Sequence, residues 1–579
     1  MRSLKTAFFI FFMMLPFLSS ANIASPPNVS APLYTHLATA QPIWAKQGMV
    51  SSQEALATRA GVEILKQGGN AIDAAVAVAF SLAVTLPRAG NLGGGGFMLV
   101  HLAKENKNIA IDYREMAPFE THKDIFLDEN GDPDPKLSRE HGLSVGVPGT
   151  VKGMVLALKE YGTMSLQQVT QPAIEMALNG IIMTPDLANS LNSAKQRLSQ
   201  WPSTQAIFYK KDGTNYAIGE RFKQPELAHT LELIAQKGSK GFYEGETANK
   251  IVDAVTQAGG VMTLADLKEY QAVKRTPVEG SYRGYQVISM PPPSSGGVHI
   301  IQMLNILEQF PMDKLGLNTA SSIHLMSEVM KRAYADRSEY LGDPDFYNVP
   351  VDTLTSKAYA KKLASDISLE KVTPSTDIKP GDLAPYESNQ TTHYSVVDKW
   401  GNAVSNTYTL NFSYGSGLVA KGTGVILNNE MDDFSAKAGT PNGYGLIGGH
   451  ANAVEPKKRP LSSMSPTIVM QDGEPYIVTG SPGGSRIITT TLQIILNVID
   501  HNLNIAEATI APRIHHQWLP DEIRIEQGIN KDTIKLLENK GHEVTLKNAM
   551  GSTQSIIMTE NGFTGFSDLR RSGSETLGY

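Results

Sequence analysis

TTHYSVVDKWGNAVSNTYTLNFSYG, residues 391–415, is the stretch that decides the fold. Residues 392–397 alternate as strands do, and the loop 399–401 (Lys-Trp-Gly) is typical of a hairpin whose glycine takes the left-handed conformation. If Asp398 faces Asn402, facing residue numbers sum to 800, which places Thr391 opposite Thr409. Opposed side chains of a strand pair lie in contact, so Thr391 is expected to meet a row of hydroxyl groups. Taken alone, the hairpin favours threonine-rich strands without a function.

Three short turns after this hairpin carry other polar groups that a site needs. A strand ending at Thr479 runs into the glycine loop 480–486 (GSPGGSR), and a helix is predicted from there to about Asp500. Backbone amides of such a loop can form an oxyanion hole, although a tight turn fits equally well. Residues 459–466 (RPLSSMSP) cluster hydroxyl groups, and residues 428–433 (NNEMDD) cluster carboxylates and amides. In isolation, both are also ordinary solvated loops.

Other patterns that suggest chemistry do not fit it in context. Residues 142–146 (GLSVG) match a serine nucleophile elbow, but no strand precedes them and no helix follows at once. The glycines of 91–96 (NLGGGG) follow a helix, open a strand and lack the lysine of a phosphate loop, so they indicate close backbone packing. The histidines show no ligand spacing, so we expect no metal site. The chain has no cysteine, which excludes disulfides and a thiol nucleophile.

The N-terminus predicts export. Arg2 and Lys5 precede an apolar run at 7–18, and small residues follow at the usual cleavage positions, so residues 1–21 are predicted to be a signal peptide. The run is too short for a membrane anchor, which is the alternative. Residues 22–45 are rich in Pro, Ser and Ala and are predicted to be a flexible leader. The mature protein is expected in the periplasm or secreted, without a membrane anchor.

Composition and periodicity predict a large layered α+β protein. The 579 residues are 41% hydrophobic and 19% charged, with a formal net charge of −6, and no basic cluster suggests nucleic acid. Ser51–Glu54 (SSQE) is a capping box that predicts a helix through Leu65, and Asn70 is predicted to cap a helix over 71–84 that is apolar on nearly every face. Strands and helices mix without regular βαβ alternation, which favours a layered α+β or αββα sandwich over a Rossmann or barrel fold.

Together these pieces resemble the γ-glutamyltranspeptidase family of N-terminal-nucleophile hydrolases. The resemblance runs through the whole of residues 391–415 and continues in residues 112–118 (DYREMAP), 428–434 (NNEMDDF), 459–467 (RPLSSMSPT) and 480–486 (GSPGGSR). It extends from about Gly48 to Tyr579, and the combination of these motifs is highly specific.

The resemblance implies a precursor that cleaves itself between Gln390 and Thr391. A large subunit (46–390) and a small catalytic subunit (391–579) would then stay together as a heterodimer in one four-layer αββα sandwich. Cleavage frees an α-amino group whose reference pKa is about 7.7–8.0, so this amine can act as the base for the hydroxyl group of the same threonine. Cleavage would therefore switch the enzyme on.

The resemblance also implies a role for each matching residue. Thr391 would be the nucleophile, Thr409 would hydrogen-bond to it, and the Gly483 and Gly484 amides would form the oxyanion hole. The γ-glutamyl α-carboxylate would pair with Arg114, whose planar fork suits it, and with two further hydroxyl groups. The remaining residues implied by the family are Ser462 and Ser463 at the carboxylate, Asn411, Glu430 and Asp433 at the α-ammonium group, and Tyr444 as the gate of a lid loop over 438–449.

The implied reaction is transfer of a γ-glutamyl group from glutathione or another γ-glutamyl compound to Thr391, and then to water or to an amino acid or dipeptide. No cofactor or metal is needed. The sequence departs from the family twice. Glu430 stands where some relatives carry Gln, which can equally accept from an ammonium group, and Leu569 stands where Pro is usual, which puts only the local turn in doubt.

Two other functions remain open. The first is an acylase of the same fold that removes glutaryl side chains from β-lactam compounds. Glutaryl lacks the α-ammonium group, so Asp433 favours the transpeptidase. The second is an uncleaved, exported binding protein, which would run as a single full-length band on a denaturing gel.

Overall fold

The computed structural model describes residues 38–378, 391–443 and 445–579. Its strands are, in chain order, β1 (Ile43–Ala45), β2 (Met49–Ser52), β3 (Gly95–Leu102), β4 (Lys107–Tyr113), β5 (Ile181–Ile182), β6 (Arg221–Phe222), β7 (Val273–Arg275), β8 (Val278–Tyr282), β9 (Tyr285–Ser289), β10 (Thr392–Val397), β11 (Ala403–Thr409), β12 (Val419–Ala420), β13 (Val425–Ile426), β14 (Thr467–Gln471), β15 (Glu474–Thr479), β16 (Ile514–His515), β17 (Ile523–Ile525), β18 (Val544–Leu546), β19 (Gln554–Thr559), β20 (Gly562–Ser567) and β21 (Glu575–Gly578).

The α-helices of the same residues are α1 (Ala55–Lys66), α2 (Ala71–Thr85), α3 (Pro135–Arg139), α4 (Thr150–Tyr161), α5 (Leu166–Asn179), α6 (Pro185–Leu198), α7 (Pro202–Phe208), α8 (Pro225–Lys237), α9 (Lys240–Tyr243), α10 (Gly245–Gln257), α11 (Leu264–Glu269), α12 (Gly296–Leu307), α13 (Met312–Leu315), α14 (Ala320–Tyr340), α15 (Val351–Leu354), α16 (Lys357–Ser365), α17 (Arg486–Ile499), α18 (Ile505–Ile510) and α19 (Lys531–Asn539). Each of these helices is too short or too polar to span a bilayer, within the part of the chain that the structure describes.

Two antiparallel sheets form the middle of the molecule. Sheet A has the order β1-β20-β19-β15-β14-β9-β8, and sheet B has the order β21-β2-β10-β11-β3-β4-β7. Along β3, Phe97 and Leu99 pack into a core with Ile468 and Val478 of sheet A, whereas the alternate residues pack toward the helices. This alternation of period two shows that the sheets lie face to face.

Helices cover the outer face of each sheet. Helices α1 and α2 pack on sheet B, and α12 and α17 pack on sheet A. Helix α2 is buried along its whole length because it also contacts α4 and α5, as its apolar sequence predicts. The layers therefore run helix, sheet, sheet, helix, and the predicted αββα sandwich is confirmed.

The hairpin from which the sequence analysis starts has the predicted register. Thr392 pairs with Tyr408 and Val397 with Ala403, so facing numbers sum to 800. Gly401 has a φ of 89°, the left-handed conformation predicted for the loop. The hairpin lies at the centre of sheet B, between β2 and β3. Gly94 packs against its end, where a Cβ atom would lie 2.0 Å from the Thr409 carbonyl oxygen, so the glycine run serves close backbone packing, as predicted.

Two boundaries near the N-terminus differ from the prediction. The capping box at 51–54 is wrong, because Ser51 and Ser52 belong to strand β2 and pair with β10, and Glu54 caps α1 instead. Pairing in the central sheet outweighs the local helix signal. The leader prediction is wrong for its last three residues, because Ile43–Ala45 pair with β20 as β1. The predicted signal peptide and Gln390 of the predicted cleavage site lie outside the described residues.

Candidate active site

Thr391 lies immediately before β10, and its hydroxyl group meets that of Thr409 at the end of β11. The two Oγ1 atoms are 3.3 Å apart, and the Asn411 backbone amide donates to the Thr409 hydroxyl at 2.9 Å. Both threonines are nearly fully buried, with exposed fractions of 6% and 2%. The neighbour predicted from the hairpin register is thereby confirmed.

A small cavity in front of Thr391 brings together most of the predicted site residues. Its lining residues are Arg114, Arg337, Thr391, Thr409, Asn411, Glu430, Asp433, Leu446, Ser462, Ser463, Met464, Gly484 and Ile487. Gly483 does not line this cavity. Both glycines, however, have φ values in the left-handed region, 137° for Gly483 and 58° for Gly484, where any other residue is strained. The loop lies between β15 and α17, as predicted.

Arg114 follows the last residue of β4 and is held in a cluster of carboxylates. Its Nη2 atom lies 2.5 Å from Asp433 Oδ2, its Nη1 atom contacts Glu430, and its Nε atom donates to the Pro460 carbonyl at 3.1 Å. Glu115 lies 3.6 Å from the same guanidinium group. The structure brings Arg114, Glu430 and Asp433 together in one site, as predicted, and these three side chains pair with one another.

The serine pair lies on the other side of the cavity. The guanidinium group of Arg337, on α14, donates to Ser463 Oγ at 3.2 Å and to Ser295 Oγ at 2.9 Å. The Ser462 hydroxyl accepts from the Met464 amide at 3.1 Å, which fixes the turn. Arg337 therefore places a second guanidinium group next to the predicted carboxylate donors.

Sequence reasoning missed Arg337, Glu115 and Leu446. Arg337 lies in α14, and nothing in its sequence distinguishes it from the other charged residues of that helix. Glu115 is directly next to Arg114 in the motif DYREMAP, and this adjacency could have identified it as a residue of the site. Tyr444, the predicted gate residue, lies outside the described residues, but Leu446 of the same loop lines the cavity.

The chain matches the family model described as Gamma-glutamyltranspeptidase over residues 57–578. It belongs to the γ-glutamyltranspeptidase family. It is 58% identical over 540 residues to the glutathione hydrolase proenzyme of Escherichia coli (strain K12), and the match covers 93% of each chain.

Solved structures agree with this assignment. The crystal structure of Helicobacter pylori γ-glutamyltranspeptidase matches with a TM-score of 0.56 and 47% identity, covering 60% of this chain and 97% of that one. The cephalosporin acylase of Bacillus halodurans matches with a TM-score of 0.82 and 28% identity, covering 94% of this chain and 98% of that one. The fold is that of the N-terminal-nucleophile hydrolases, and the chain is an enzyme of this transpeptidase family.

Two other candidate sites have side chains that are paired within the protein. Ser144 of the rejected elbow lies in a short 3₁₀ helix (Gly142–Ser144), and its hydroxyl donates to the His141 carbonyl at 2.7 Å. His324, Glu328 and His542 form a buried group with metal-ligand atoms, which the spacing of the sequence did not reveal. The two imidazoles hydrogen-bond to each other at 2.7 Å, and Glu328 pairs with both Lys331 and Arg332, so these groups satisfy one another.

Burial raises the pKa values of the carboxyl groups around Arg114. Burial raises the pKa of Glu115 to about 7, although the charge of Arg114 opposes the rise. Burial also raises the pKa of Glu430 well above its ordinary value, and repulsion from Glu115 and Asp433 adds to this rise while Arg114 opposes it. Neither Glu115 oxygen has a hydrogen-bond partner among the described residues. The cluster therefore holds a proton near neutral pH.

We expect Glu115 to make the stability of this transpeptidase pH-dependent. A carboxyl group whose folded pKa lies near 7, above its ordinary 4.5, stabilises the fold at low pH, and this contribution is lost as the pH rises through 7. The loss is on the order of 3 kcal/mol. Melting temperatures of wild type should fall between about pH 5 and pH 8, and Glu115→Gln should flatten this fall.

Glu129→Gln is the matched control, since it removes the same carboxyl group at an exposed position. It should keep the wild-type profile. A Glu115→Gln variant with the full wild-type decline would contradict the assignment of the proton to this cluster.

Proposed function

We propose that the chain is a γ-glutamyl transferase and hydrolase that acts on glutathione and other γ-glutamyl compounds. The observation that carries this proposal is the contact between the Thr391 and Thr409 hydroxyl groups at the edge of a cavity lined by Arg114 and Asp433. The name of the Escherichia coli relative, glutathione hydrolase proenzyme, supports the same substrate.

The charged groups that line the cavity suit a zwitterion. Arg114 is buried and paired with Glu430 and Asp433, so a ligand can bind only if it replaces these contacts. The α-carboxylate of a γ-glutamyl group can pair with Arg114, and the Ser462 and Ser463 hydroxyl groups can donate further hydrogen bonds to it. The α-ammonium group of the ligand can then pair with the carboxylates of Glu430 and Asp433 that Arg114 has released, and Asn411 lies nearby. The exchange leaves every buried charge paired, which a ligand with one charge cannot do.

The chemistry needs a nucleophile, a base and an oxyanion site. Thr391 Oγ1 attacks the γ-carbonyl carbon, and its proton passes to the α-amino group of Thr391. The Gly483 and Gly484 amides stabilise the oxyanion. The carbon–nitrogen bond then breaks, the leaving amine takes the proton, and a γ-glutamyl ester remains on Thr391. Water or an acceptor amine attacks this ester, giving glutamate or a new γ-glutamyl amide and restoring the threonine.

The proposed cleavage between Gln390 and Thr391 would give a large subunit of residues 46–390 and a small subunit of residues 391–579. Sheet A and sheet B each contain strands from both sides of the cut, hydrogen-bonded to one another, so the two pieces would remain one folded unit. Residues 1–21 are proposed to direct export, to the periplasm or out of the cell, and to be removed.

A comparison of γ-glutamyl and glutaryl anilides tests the substrate class. We expect wild type to prefer the γ-glutamyl anilide by about 100-fold or more in kcat/KM, because glutaryl leaves the carboxylates of Glu430 and Asp433 without an ammonium partner. Release of the aniline, followed by absorbance, measures both reactions with the same leaving group, so the acyl half alone differs.

A preference for glutaryl would make the chain an acylase, a reading favoured by the structural match to the Bacillus halodurans cephalosporin acylase. Turnover of neither compound, together with a single full-length band on a denaturing gel, would indicate a binding protein instead.

A further inference from the structure

A second, larger cavity lies beside the one that contains Thr391. Its volume is about 570 Å³, and Phe412 and Asn429 form the wall that it shares with the first cavity. The chain neighbours of these two residues, Asn411 and Glu430, line the first cavity. Asn411 Nδ2 donates to the Asn429 carbonyl at 2.9 Å, and the Phe412 amide donates to Asn429 Oδ1 at 3.1 Å, so the wall is fixed.

The second cavity is rich in guanidinium groups. Its charged lining residues are Arg88, Arg139, Arg197 and Arg571 against Glu140 and Asp186. Asp432, outside the lining, pairs with Arg139, which leaves an excess of one positive charge. Arg88 pairs with Asp186 at 2.5 Å, and Arg197 donates to the backbone carbonyl of Gly415 at 2.8 Å. Burial lowers the pKa of Arg197 and that of Arg571, which is the mark of cations held away from water. Such a surface favours an anion.

Arg139 is the best placed of the four to contact a ligand from both cavities. Its Nε atom pairs with Asp432 Oδ1 at 3.1 Å, directly next to Asp433 of the first cavity. Its side chain is 26% exposed and its guanidinium carbon lies 5.7 Å from the centre of the Phe412 ring, on the shared wall. A peptide that leaves Thr391 along this wall would pass an aromatic face before it reaches the guanidinium groups.

We propose that this second cavity binds the carboxylate of the amine half of the substrate, both in the peptide that leaves and in the peptide that accepts. The proposal rests on the proposed function and deepens it. The cavity has the size of an ordinary small-ligand site, with room for a dipeptide. Specificity for a free carboxylate arises because a neutral amine leaves the excess positive charge of the cavity uncompensated.

Adjacent residues of opposite charge provide matched variants. Arg139→Gln removes a positive charge from the cavity and Glu140→Gln removes a negative one. With glutathione as donor, kcat/KM should fall about tenfold in Arg139→Gln and rise about threefold in Glu140→Gln. With γ-glutamyl-p-nitroanilide, whose leaving group is uncharged, kcat/KM should change less in each variant than it does with glutathione.

The wild-type enzyme allows an independent test of the second site. With γ-glutamyl-p-nitroanilide as donor, glycylglycine should be a better acceptor than glycylglycine amide by about tenfold, and this gap should shrink in Arg139→Gln. Equal performance of the two acceptors in wild type would overturn the proposal even if Arg139→Gln does not fold.

The remaining outcomes separate this proposal from the proposed function. An equal loss with both donors in Arg139→Gln would mean that Arg139 acts through Asp432 on the first cavity, and would overturn the second site alone. An unchanged kcat/KM for glutathione in both variants would also overturn the second site alone. If wild type turns over neither donor, the proposed function fails and the second site fails with it.

Discussion

Replacing Thr391 with alanine is expected to leave the chain uncut and to abolish turnover. The Thr391 hydroxyl group is the nucleophile proposed for both reactions, and no other hydroxyl group occupies its position before β10 in the described structure. Loss of a nucleophile of this kind lowers kcat by a factor on the order of 10⁴ or more. Denaturing gels should show one band for Thr391→Ala and two for wild type, and Edman sequencing of the smaller wild-type piece should begin Thr-Thr-His-Tyr.

Thr392→Ala is the matched control, because it makes the same change one residue further along the strand. Thr392 is buried, but its hydroxyl group has no hydrogen-bond partner among the described residues. It should therefore be cut and remain active. An uncut Thr392→Ala variant would mean that cleavage responds to packing of the strand rather than to the hydroxyl group, and a cut Thr391→Ala variant would remove the nucleophile assignment.

Local patterns were enough to predict the centre of the fold. The Lys399–Gly401 loop sets the register of the hairpin, so the contact between Thr391 and Thr409 followed from the numbering alone. The apolar sequence of α2 likewise indicated its buried position. Both predictions rest on residues close together in the chain, where turn geometry and periodicity act directly.

Such local patterns could not predict contacts between residues that are far apart in the chain. Ser51 and Ser52 carried a helix signal, and only the pairing of β2 with β10 shows that they form a strand. Arg337 reaches Ser463 from a helix 126 positions away along the chain. The sequence did not predict the pairing of Arg114 with Glu430 and Asp433, for a different reason. The family resemblance implies the role of each residue toward a ligand, whereas the structure shows how the charges of these residues pair with one another.

Replacing Arg114 with lysine is expected to lower kcat/KM for γ-glutamyl donors by a factor on the order of 10² to 10³. Lysine keeps the charge, but its single ammonium group cannot reach Glu430, Asp433 and the Pro460 carbonyl as the planar fork does. Cleavage at Thr391 should still occur, because the charge of the buried cluster is unchanged. Arg114→Gln should be worse, since removing one partner of a buried pair destabilises by about 3–5 kcal/mol.

Arg59→Lys is the control for the chemical change itself. Arg59 also forms a fork with a carboxylate, that of Glu575, but at an exposed position with 59% of its side chain accessible, where such pairs contribute little. Its kinetics and melting temperature should match wild type. Wild-type kcat/KM in Arg114→Lys would mean that the α-carboxylate is held by Arg337 through the Ser463 side of the cavity. The pairing of Arg114 with Glu430 and Asp433 would then serve stability rather than recognition.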